Sequence, residues 1–425
     1  MTGPSNPPSQ PQAAAPPTRE PLTVVICVDH AMVTGGQAKV AFDSAIGLKR
    51  AGHRPIVFAA AGPVDPGFAA HGVEIVCLDQ TDLLGASNKI AGAAQGVWNG
   101  EAARRLQAVL ASLPPRATVV HVHGWAKALS PSIASAIRAS GLPAVYTVHE
   151  YFLFCPNGGF YNYQRQAVCP LTPLSGACLK EHCDSVSYAR KVWRSARLLF
   201  ADRVLRFPAV FGDYIRISDV QADIVDPYLP AGVRRHRVSN PIEAEDIGPK
   251  TDAATGDFVF VARISPEKGP FLFAEAARRA GVSAVFVGDG PAAAELKARY
   301  PETRVTGWRT PADARAALRS ARALVFPSLW YEGQPLTVLE AKAAGTPVIV
   351  SDVCAGRESI ADGVMGLWFK SNDADDLARA LIALRDDDVV RRMSAAAYAD
   401  YWRDPPTLER HVARIEAVYR AMLAR

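Results

Sequence analysis

Short apolar runs alternate with amphipathic stretches along most of the chain. The run LTVVICVD, which begins at Leu22, is continuously apolar, as is typical of a strand buried on both faces of a parallel sheet. A loop with two glycines, an amphipathic stretch that ends at Gly52 and the run PIVFAA follow it, in the order of a βαβ unit. The alternation begins again at Asp257 with DFVFV. The pattern therefore predicts an α/β protein with two Rossmann-like, doubly wound domains.

Polar residues follow two neighbouring strands of the first predicted sheet. The strand ATVVHVHG ends near His121 and His123, and the strand AVYTVHE ends with His149 and Glu150. The carboxyl ends of parallel strands are where open α/β sheets bind ligands. A lone histidine is more often structural, but one that closes a buried strand and precedes an acid is a candidate for chemistry.

Glycines mark two further loops that follow predicted strands. Gly35 and Gly36 come between the first strand and its helix, and Gly288 and Gly290 form a glycine-rich turn after the strand SAVFV. Each could be only a tight turn. Their position after a buried strand and ahead of a helix favours a ligand-binding loop.

Two glutamates lie in the stretch FPSLWYEGQPLTVLEAKAAGTP, residues 326–347. Glu332 is expected on a loop, and Glu340 on a helix that begins near Leu336 and stops at Gly345. An isolated pair of this kind is usually two solvated acids. Here the loop carboxylate could contact a sugar and the helical one a ribose, with free N–H groups at the helix start to hold a diphosphate.

Two cations introduce the second domain. Arg263 ends its first strand, and Lys268 follows five residues later on the loop before the next helix. Such a basic pair is often only a solvated face. Alternatively, the two side chains converge on one diphosphate, Arg through its planar fork and Lys as a point charge.

The chain resembles the retaining glycosyltransferases of family 4, which have the GT-B fold. The resemblance covers about residues 22–400 and is most specific over residues 258–347. Glu332 and Glu340 match the family's E-x7-E element, and Arg263 and Lys268 match its R-x4-K-G element. The chain has Gly333-Gln334-Pro335 where the family usually has an aromatic residue and Gly. The resemblance implies two Rossmann-like domains that face a central cleft.

The resemblance also implies roles for individual residues. Arg263 and Lys268 would bind the leaving diphosphate, and no divalent metal would be required because these cations replace it. Glu340 would hold the ribose and Glu332 the donor sugar, while His149 would face the reacting sugar. The remaining residues assigned to the donor site are Gly35, Gly36, Gly288, Gly290, Gly333, Leu336 and Thr337.

The implied reaction moves a sugar, with retention, from a nucleotide-diphosphate sugar to a hydroxyl of a saccharide or lipid-linked saccharide. It would serve the synthesis of cell-surface polysaccharide or glycoconjugate. Three alternatives share parts of the pattern: a phosphorylase that binds pyridoxal phosphate, a nucleotide-sugar epimerase of the same fold, and a non-catalytic sugar-binding protein. The phosphorylases are usually much longer, an epimerase needs no acceptor, and a non-catalytic protein would be expected to lack the two cations.

The predicted domains follow from the alternation and the resemblance. They are a disordered Pro-rich tail (residues 1–21), an N-terminal acceptor-binding domain (22–240), a C-terminal nucleotide-sugar-binding domain (241–405) and a helix that crosses back to the first domain (406–425).

Composition and charge limit the class of the protein, its cellular compartment and its partners. Of its 425 residues, 49% are hydrophobic and 21% charged, which is ordinary for a globular protein. No apolar run approaches the roughly 18 residues of a membrane-spanning helix, and no signal core is present, so a cytoplasmic protein is expected. The net charge of +5 is dispersed, which argues against a nucleic-acid partner.

Seven cysteines in such a setting favour reduced thiols over disulfides. Cys155, Cys169, Cys178 and Cys183 lie within 29 residues and could hold a structural zinc ion, but they lack paired C-x2-C knuckles. A zinc site and four ordinary thiols both remain open.

Two segments near these cysteines suggest contacts with other molecules. Residues 151–184 form a long, aromatic-rich loop that is expected to overhang the cleft and help select the acceptor. Residues 185–207 read as a helix with Arg190, Lys191, Arg194 and Arg197 on it. These cations predict either a solvated basic face or peripheral contact with an anionic membrane at its inner face.

Overall fold

The computed structural model describes residues 20–425. The predicted disordered tail, residues 1–21, falls outside the described range except for its last two residues.

The first domain is built on a seven-stranded parallel sheet whose central strands are almost wholly buried, as their continuous apolar runs require, while its two edge strands are more exposed. The strands of this domain are β1 (Thr23–His30), β2 (Arg54–Ala61), β3 (Glu74–Gln80), β4 (Thr118–Val122), β5 (Ala144–Thr147), β6 (Tyr161–Asn162), β7 (Ala167–Val168), β8 (Asp213–Arg216) and β9 (Arg234–Arg237). The sheet order is β3-β2-β1-β4-β5-β8-β9, and β6 and β7 form a separate antiparallel pair. The order turns back at β1, so the carboxyl ends of β1 and β4 frame a crevice there.

Helices cover both faces of this sheet. They are α1 (Gly36–Arg50), α2 (Pro66–Ala70), α3 (Lys89–Val97), α4 (Gly100–Ala111), α5 (Ile133–Ser140), α6 (Gly176–Lys180), α7 (Tyr188–Leu199) and α8 (Asp219–Val225). Several begin at a side-chain cap that the sequence supplies: Asn99 accepts from the backbone N–H of Ala102, and Ser187 from that of Arg190.

The second domain repeats the architecture with a six-stranded parallel sheet of order β12-β11-β10-β13-β14-β15. Its strands are β10 (Phe258–Val261), β11 (Ala284–Val287), β12 (Arg304–Val305), β13 (Ala323–Phe326), β14 (Val348–Ser351) and β15 (Gly366–Phe369). Its helices are α9 (Pro270–Ala280), α10 (Ala293–Arg299), α11 (Pro311–Ser320), α12 (Leu336–Ala343), α13 (Ala374–Ala383) and α14 (Asp387–Arg403). The prediction of two Rossmann-like domains is confirmed.

The last helix, α15 (Leu408–Leu423), packs on the first domain although it follows the second in the chain. Its apolar face joins the core around β1 and α1, and two polar contacts fix its position. His411 Nε2 lies 2.9 Å from Ser44 Oγ, and Tyr419 Oη lies 2.7 Å from His121 Nδ1. The helix therefore ties the two domains together behind the cleft.

Contacts away from α15 also join the domains. Glu358 of the second domain accepts from the backbone N–H groups of Asp219 and Val220 at the start of α8. Tyr151 Oη donates to the carbonyl oxygen of Tyr331 at 3.1 Å. These contacts hold the carboxyl ends of the two sheets opposite each other.

Candidate functional site

A cleft of about 530 Å³ lies between the two sheets, where their carboxyl ends face each other. Most of the residues assigned to the site from the sequence line it: Gly35, Gly36, His149, Lys268, Glu332, Gly333, Leu336, Thr337 and Glu340. The cleft also exposes side chains that the sequence did not single out: Asp29, Lys127 and Trp330.

Glu332 is one of the two carboxylates in the described part of the cleft that accept from three donors. Its Oε1 accepts hydrogen bonds from Trp330 Nε1 at 2.7 Å and from Ser328 Oγ at 3.0 Å, and the Lys268 ammonium forms an ion pair with the same oxygen. The Lys268 ammonium also lies 5.4 Å from the centre of the Trp330 ring. Glu332 is thus fixed by three donors on its own domain rather than free in solvent.

Lys268 is placed by a tight turn, Pro266–Lys268, that ends at Gly269. Gly269 has a φ of +70°, and a Cβ there would come within 2.0 Å of the carbonyl oxygen of Pro327. Only glycine fits this approach. Gly269 therefore allows the Lys268 turn to pack against the carboxyl end of β13, next to Glu332.

The N-terminus of α12 points into the cleft. Its cap residue is Pro335, whose side chain makes no hydrogen bond. Within residues 20–425, the N–H groups of Leu336 and Thr337 therefore have no side-chain cap. A Cβ on Gly36 would lie 3.8 Å from Leu336 Cδ1, so the glycine loop of the first domain directly faces this helix end. Free N–H groups and the helix dipole suit an anion at this position.

Glu340 lies one turn further along α12 and also faces the cleft. Burial raises the pKa of its carboxyl group, an effect that the positive charges of Arg315 and Lys39 oppose. A half-buried carboxylate with no ion pair among the described residues can accept hydrogen bonds from a ligand.

The first domain contributes a buried polar wall. Asp29, at the carboxyl end of β1, accepts the backbone N–H groups of Lys127, Ala128 and Leu129 at 3.1, 2.8 and 2.9 Å. Burial raises the pKa of the neighbouring Glu150, against the lowering effect of Lys127, whose ammonium lies 3.6 Å away. Asp29 therefore fixes the loop that carries Lys127. Its position at the end of a buried strand is the sequence feature that could have identified it as a cleft residue.

His149 closes this wall after β5. Its Nε2 lies 2.9 Å from Nδ1 of His123, and burial lowers the pKa of His149 to about 3. The ring is therefore neutral at physiological pH.

Three residues assigned to the site do not line the cleft. The Arg263 side chain is 68% exposed and lies 3.7 Å from Glu267. Gly288 and Gly290 pack against backbone instead, since a Cβ on them would come within 2.1 Å of Ala262 O and 2.4 Å of Ile264 O. These two glycines allow the β11 turn to approach the loop after β10, and this close approach accounts for both.

The four clustered cysteines do not assemble into a metal site. Within residues 20–425, no group of three or more His, Cys, Asp or Glu side chains is placed to hold a metal ion. Instead the buried ammonium of Lys191 lies 3.4 Å from Cys178 Sγ and donates to the carbonyl oxygen of Cys178 at 2.9 Å. The zinc hypothesis gains no support from this arrangement and stays a prediction for metal analysis.

The predicted basic face of α7 is wrong, because its cations point inward. Arg194 reaches Asp184 at 2.9 Å, and Arg197 donates to Ala126 O at 2.8 Å while stacking on the ring of Trp125. Buried arginines need partners, and the carboxylate, the carbonyl and the aromatic faces provide them.

The solvent-facing stripe of α7 is apolar instead. Its exposed positions are Tyr188, Ala189, Val192, Ala196 and Leu199, which recur at helical spacing. No helix within residues 20–425 has the length and apolar character needed to cross a membrane.

The loop of residues 151–184 does not line the cleft itself but packs beside Trp330, which does. Tyr151 and Phe160 belong to the core of the first domain, and a Cβ on Gly159 would come within 3.0 Å of the Trp330 ring. This loop therefore supports Trp330 from the side opposite Glu332. Its predicted part in selecting the acceptor stays a prediction.

Comparison with known proteins identifies the chain's relatives. The family model described as Glycosyltransferase Family 4 matches residues 34–205, and the one described as Glycosyl transferases group 1 matches residues 255–387. UDP-Gal:alpha-D-GlcNAc-diphosphoundecaprenol alpha-1,3-galactosyltransferase of Escherichia coli is 29% identical over 294 residues, which cover 65% of this chain and 68% of that protein.

Solved structures agree in fold. Sucrose-phosphate synthase of Thermosynechococcus elongatus superposes with a TM-score of 0.68 at 18% identity, over 95% of this chain and 99% of that one. Anabaena HepE, solved in complex with UDP and glucose, gives 0.65 at 14% identity, over 94% and 100%. These structures confirm the expected fold. The two family models and the E. coli relative favour a transferase over an epimerase or a non-catalytic sugar-binding protein. The chain is a glycosyltransferase with the GT-B fold.

Proposed function

We propose that the protein transfers a sugar, with retention at the anomeric carbon, from a nucleotide-diphosphate sugar to a hydroxyl of a saccharide or lipid-linked saccharide. The observation that carries the proposal is the grouping of Lys268, Glu332 and the open N-terminus of α12 in one cleft. The E. coli relative is named for a UDP-galactose donor and a diphosphoundecaprenol-linked acceptor, and HepE was solved with UDP. These names favour a uridine nucleotide and a role in cell-surface polysaccharide or glycoconjugate synthesis.

The leaving diphosphate gains negative charge as its bond to the sugar breaks. In the proposed reaction the Lys268 ammonium and the N–H groups of Leu336 and Thr337 stabilise that charge. Lys268 already stands beside Glu332, and a diphosphate would compete with this carboxylate for the ammonium. The Lys268 ammonium thus pairs with Glu332 before the donor binds and with the diphosphate in the transition state. We propose that no divalent metal is needed.

Retention follows if the acceptor attacks the face from which the diphosphate departs. The carboxylates that line the described part of the cleft are Asp29, Glu150, Glu332 and Glu340. Asp29 is occupied by three backbone N–H groups, Glu150 lies beside Lys127, and Glu332 has three donors. In this front-face reaction the bond from the anomeric carbon to the phosphate oxygen breaks, the acceptor oxygen bonds to the same carbon, and the leaving phosphate takes the acceptor proton.

The direct test combines donor selection with product stereochemistry. Thermal unfolding is measured with UDP, GDP and ADP sugars, where a bound donor stabilises by RT ln(1 + [L]/Kd), about 2.7 kcal/mol at a hundredfold excess over Kd. The product formed from the stabilising donor and a saccharide or lipid-diphosphate saccharide acceptor is then examined by proton NMR. Retention predicts the donor's anomeric configuration in the product, whereas inversion, or no stabilisation by any nucleotide sugar, contradicts the proposal.

We further propose that the protein docks on an anionic membrane through the apolar stripe of α7 rather than through the basic residues first assigned to it. Val186 and Val204, 66% and 65% exposed, extend the stripe at either end of the helix. Tyr188 Oη donates to Leu179 O at 2.8 Å, which brings the exposed Leu179 and Lys180 beside it. Arg203 and Arg206 are exposed at the other end. An apolar stripe flanked by cations suits the interface of anionic lipid.

Vesicle sedimentation tests this contact independently of catalysis. The double variant Val192→Glu/Leu199→Glu should bind phosphatidylglycerol vesicles about tenfold less tightly than the wild type, since each tenfold corresponds to about 1.4 kcal/mol of lost apolar burial. Ile382→Glu is the matched control, because Ile382 is 51% exposed on α13, in the other domain. Equal binding by both variants would contradict the assignment.

A further inference from the structure

His123 lies behind His149 and contacts its ring. His123 Nδ1 is 2.9 Å from His149 Nε2, and the two rings are stacked with their centres 5.1 Å apart. His149 lines the cleft, whereas His123 is buried at 1% exposure and does not. His123 is therefore placed to act on His149 and not on a ligand.

A neutral imidazole carries one N–H group and one lone pair, so only one of the two facing nitrogens holds a proton. Burial lowers the pKa of both rings, and both are neutral at physiological pH. Either His123 donates from Nδ1, or His149 donates from Nε2. The two cases present opposite groups to the cleft, because the remaining nitrogen of His149 is N–H in the first and a lone pair in the second.

The second nitrogen of His123 distinguishes the two cases. His123 Nε2 is buried and has no hydrogen-bond partner within residues 20–425. If His149 donated, His123 would carry its proton on Nε2 and bury an N–H group without an acceptor, which is rare in folded proteins. If His123 donates from Nδ1, no N–H group is left unpaired.

The adjacent ring of His121 cannot supply the missing acceptor. Its Nδ1 lies 2.7 Å from Tyr419 Oη and its Nε2 2.7 Å from Thr147 Oγ1, so both nitrogens are occupied. His121 stacks on His123 with ring centres 4.0 Å apart and holds that ring in place.

We propose that His123 donates its Nδ1–H to His149 Nε2 and thereby fixes His149 as the Nδ1–H tautomer. His149 then offers a hydrogen-bond donor, not a base, to the cleft. The group that accepts from His149 is an oxygen of the bound sugar, and this part of the inference rests on the proposed function. His123 is a positioning residue, because it acts on the sugar only through His149.

The test reads the tautomer directly by nitrogen NMR of protein labelled with 15N-histidine, without any ligand. The signals of His149 are identified by their loss in His149→Gln. The proposal predicts a protonated Nδ1 and an unprotonated Nε2 throughout neutral pH. A protonated Nε2 in the wild type would overturn it, whether or not the protein transfers sugar, and an inactive protein with the predicted tautomer would instead count against the proposed function.

Two variants of similar size test the cause. His123→Asn retains an N–H donor and should preserve the wild-type tautomer, whereas His123→Asp offers only acceptors and should move the proton of His149 to Nε2. With the donor selected by thermal unfolding, kcat of the Asp variant should fall about 10²- to 10³-fold below that of the Asn variant, as when a single positioned donor is lost. An unchanged His149 tautomer in a folded His123→Asp protein would contradict the role of His123. If that variant does not fold, the wild-type spectrum still decides.

Discussion

The Lys268 ammonium and the Glu332 carboxylate form an ion pair on the floor of the interdomain cleft, on the turn after β10 and the loop after β13. The pair is supported by Ser328 and Trp330, which donate to the same oxygen of Glu332. Two residues that are 64 positions apart in the chain are thus joined where the carboxyl ends of adjacent strands meet. The proposed donor site is organised around this pair, and each of its members can be tested separately.

Lys268→Ala should lower kcat strongly, by about 10²- to 10³-fold, because the charge that it stabilises is largest in the transition state. Arg263→Ala is the matched control: it removes a cation five residues away whose side chain is mostly exposed and lies outside the cleft. Steady-state rates at saturating donor compare them. Equal losses in both variants would show that Arg263 moves into the site with ligand, and near-normal kcat in Lys268→Ala would remove the proposed role of the lysine.

Glu332→Gln should mainly reduce kcat and leave the affinity for the nucleoside diphosphate nearly unchanged. The glutamine keeps a hydrogen-bond acceptor for Trp330 but loses the charge that holds Lys268 beside the reacting sugar. Rates and calorimetric titration of the same preparation separate these effects. Wild-type kcat in this variant would mean that Glu332 is a structural acid.

The affinity for UDP should rise with pH through the titration of Glu340. Burial raises the pKa of this carboxyl group, so part of the protein carries it protonated at a pH where an exposed Glu would be ionised. Only the ionised form accepts hydrogen bonds through both oxygens. Binding should therefore release protons on the acid side of neutrality, which calorimetry in buffers of different ionisation enthalpy measures. Since UDP itself also titrates, Glu340→Gln is the control, and an identical pH slope in that variant would exclude Glu340 as the source.

Exhaustive chelation should leave transfer activity and thermal stability unchanged. Activity should not change, because the proposed reaction relies on Lys268 and the α12 N-terminus. Stability should not change, because the buried ammonium of Lys191 lies beside the sulfur of Cys178. Elemental analysis of the purified protein gives the complementary measurement. About one equivalent of zinc whose removal disorders residues 151–184 would restore the zinc hypothesis, and activity that returns only with added divalent cation would contradict the proposed role of Lys268.

The sequence predicted the fold and most of the cleft because both depend on local patterns. Continuous apolar runs predicted the two parallel sheets, and the helix signals after Gly333 predicted where α12 begins. That Gly36 faces this helix end is seen only in the structure. Gly288 and Gly290 do not line the cleft, because a glycine-rich turn that packs on backbone has the same sequence pattern as one that binds a ligand. For Arg263 the deciding factor is side-chain direction, which spacing does not determine. Arg263 follows its strand as expected, but its side chain turns towards Glu267 instead of the cleft.

The α7 helix was misread for a related reason. Its cations suggested a solvated face, yet Asp184 and the carbonyl oxygen of Ala126 offer partners inside the domain, and both come from other parts of the chain. Only long-range contacts therefore reveal that Arg194 and Arg197 are internal. The same limit hid Asp29, whose function is to bind three backbone N–H groups about 100 residues away.

The central claim is that this cleft binds the nucleotide part of the donor through the α12 helix, and titration of UDP into the wild type, Glu340→Gln and Glu332→Gln tests it most directly. Replacing Glu340 by Gln keeps an acceptor for a ribose hydroxyl but removes its charge. The account predicts a loss of about 1 to 2 kcal/mol in UDP binding for Glu340→Gln, the difference between charged and neutral hydrogen bonds, and little change for Glu332→Gln. Wild-type UDP affinity in Glu340→Gln, or no calorimetric binding of UDP, GDP or ADP to the wild type, would contradict it.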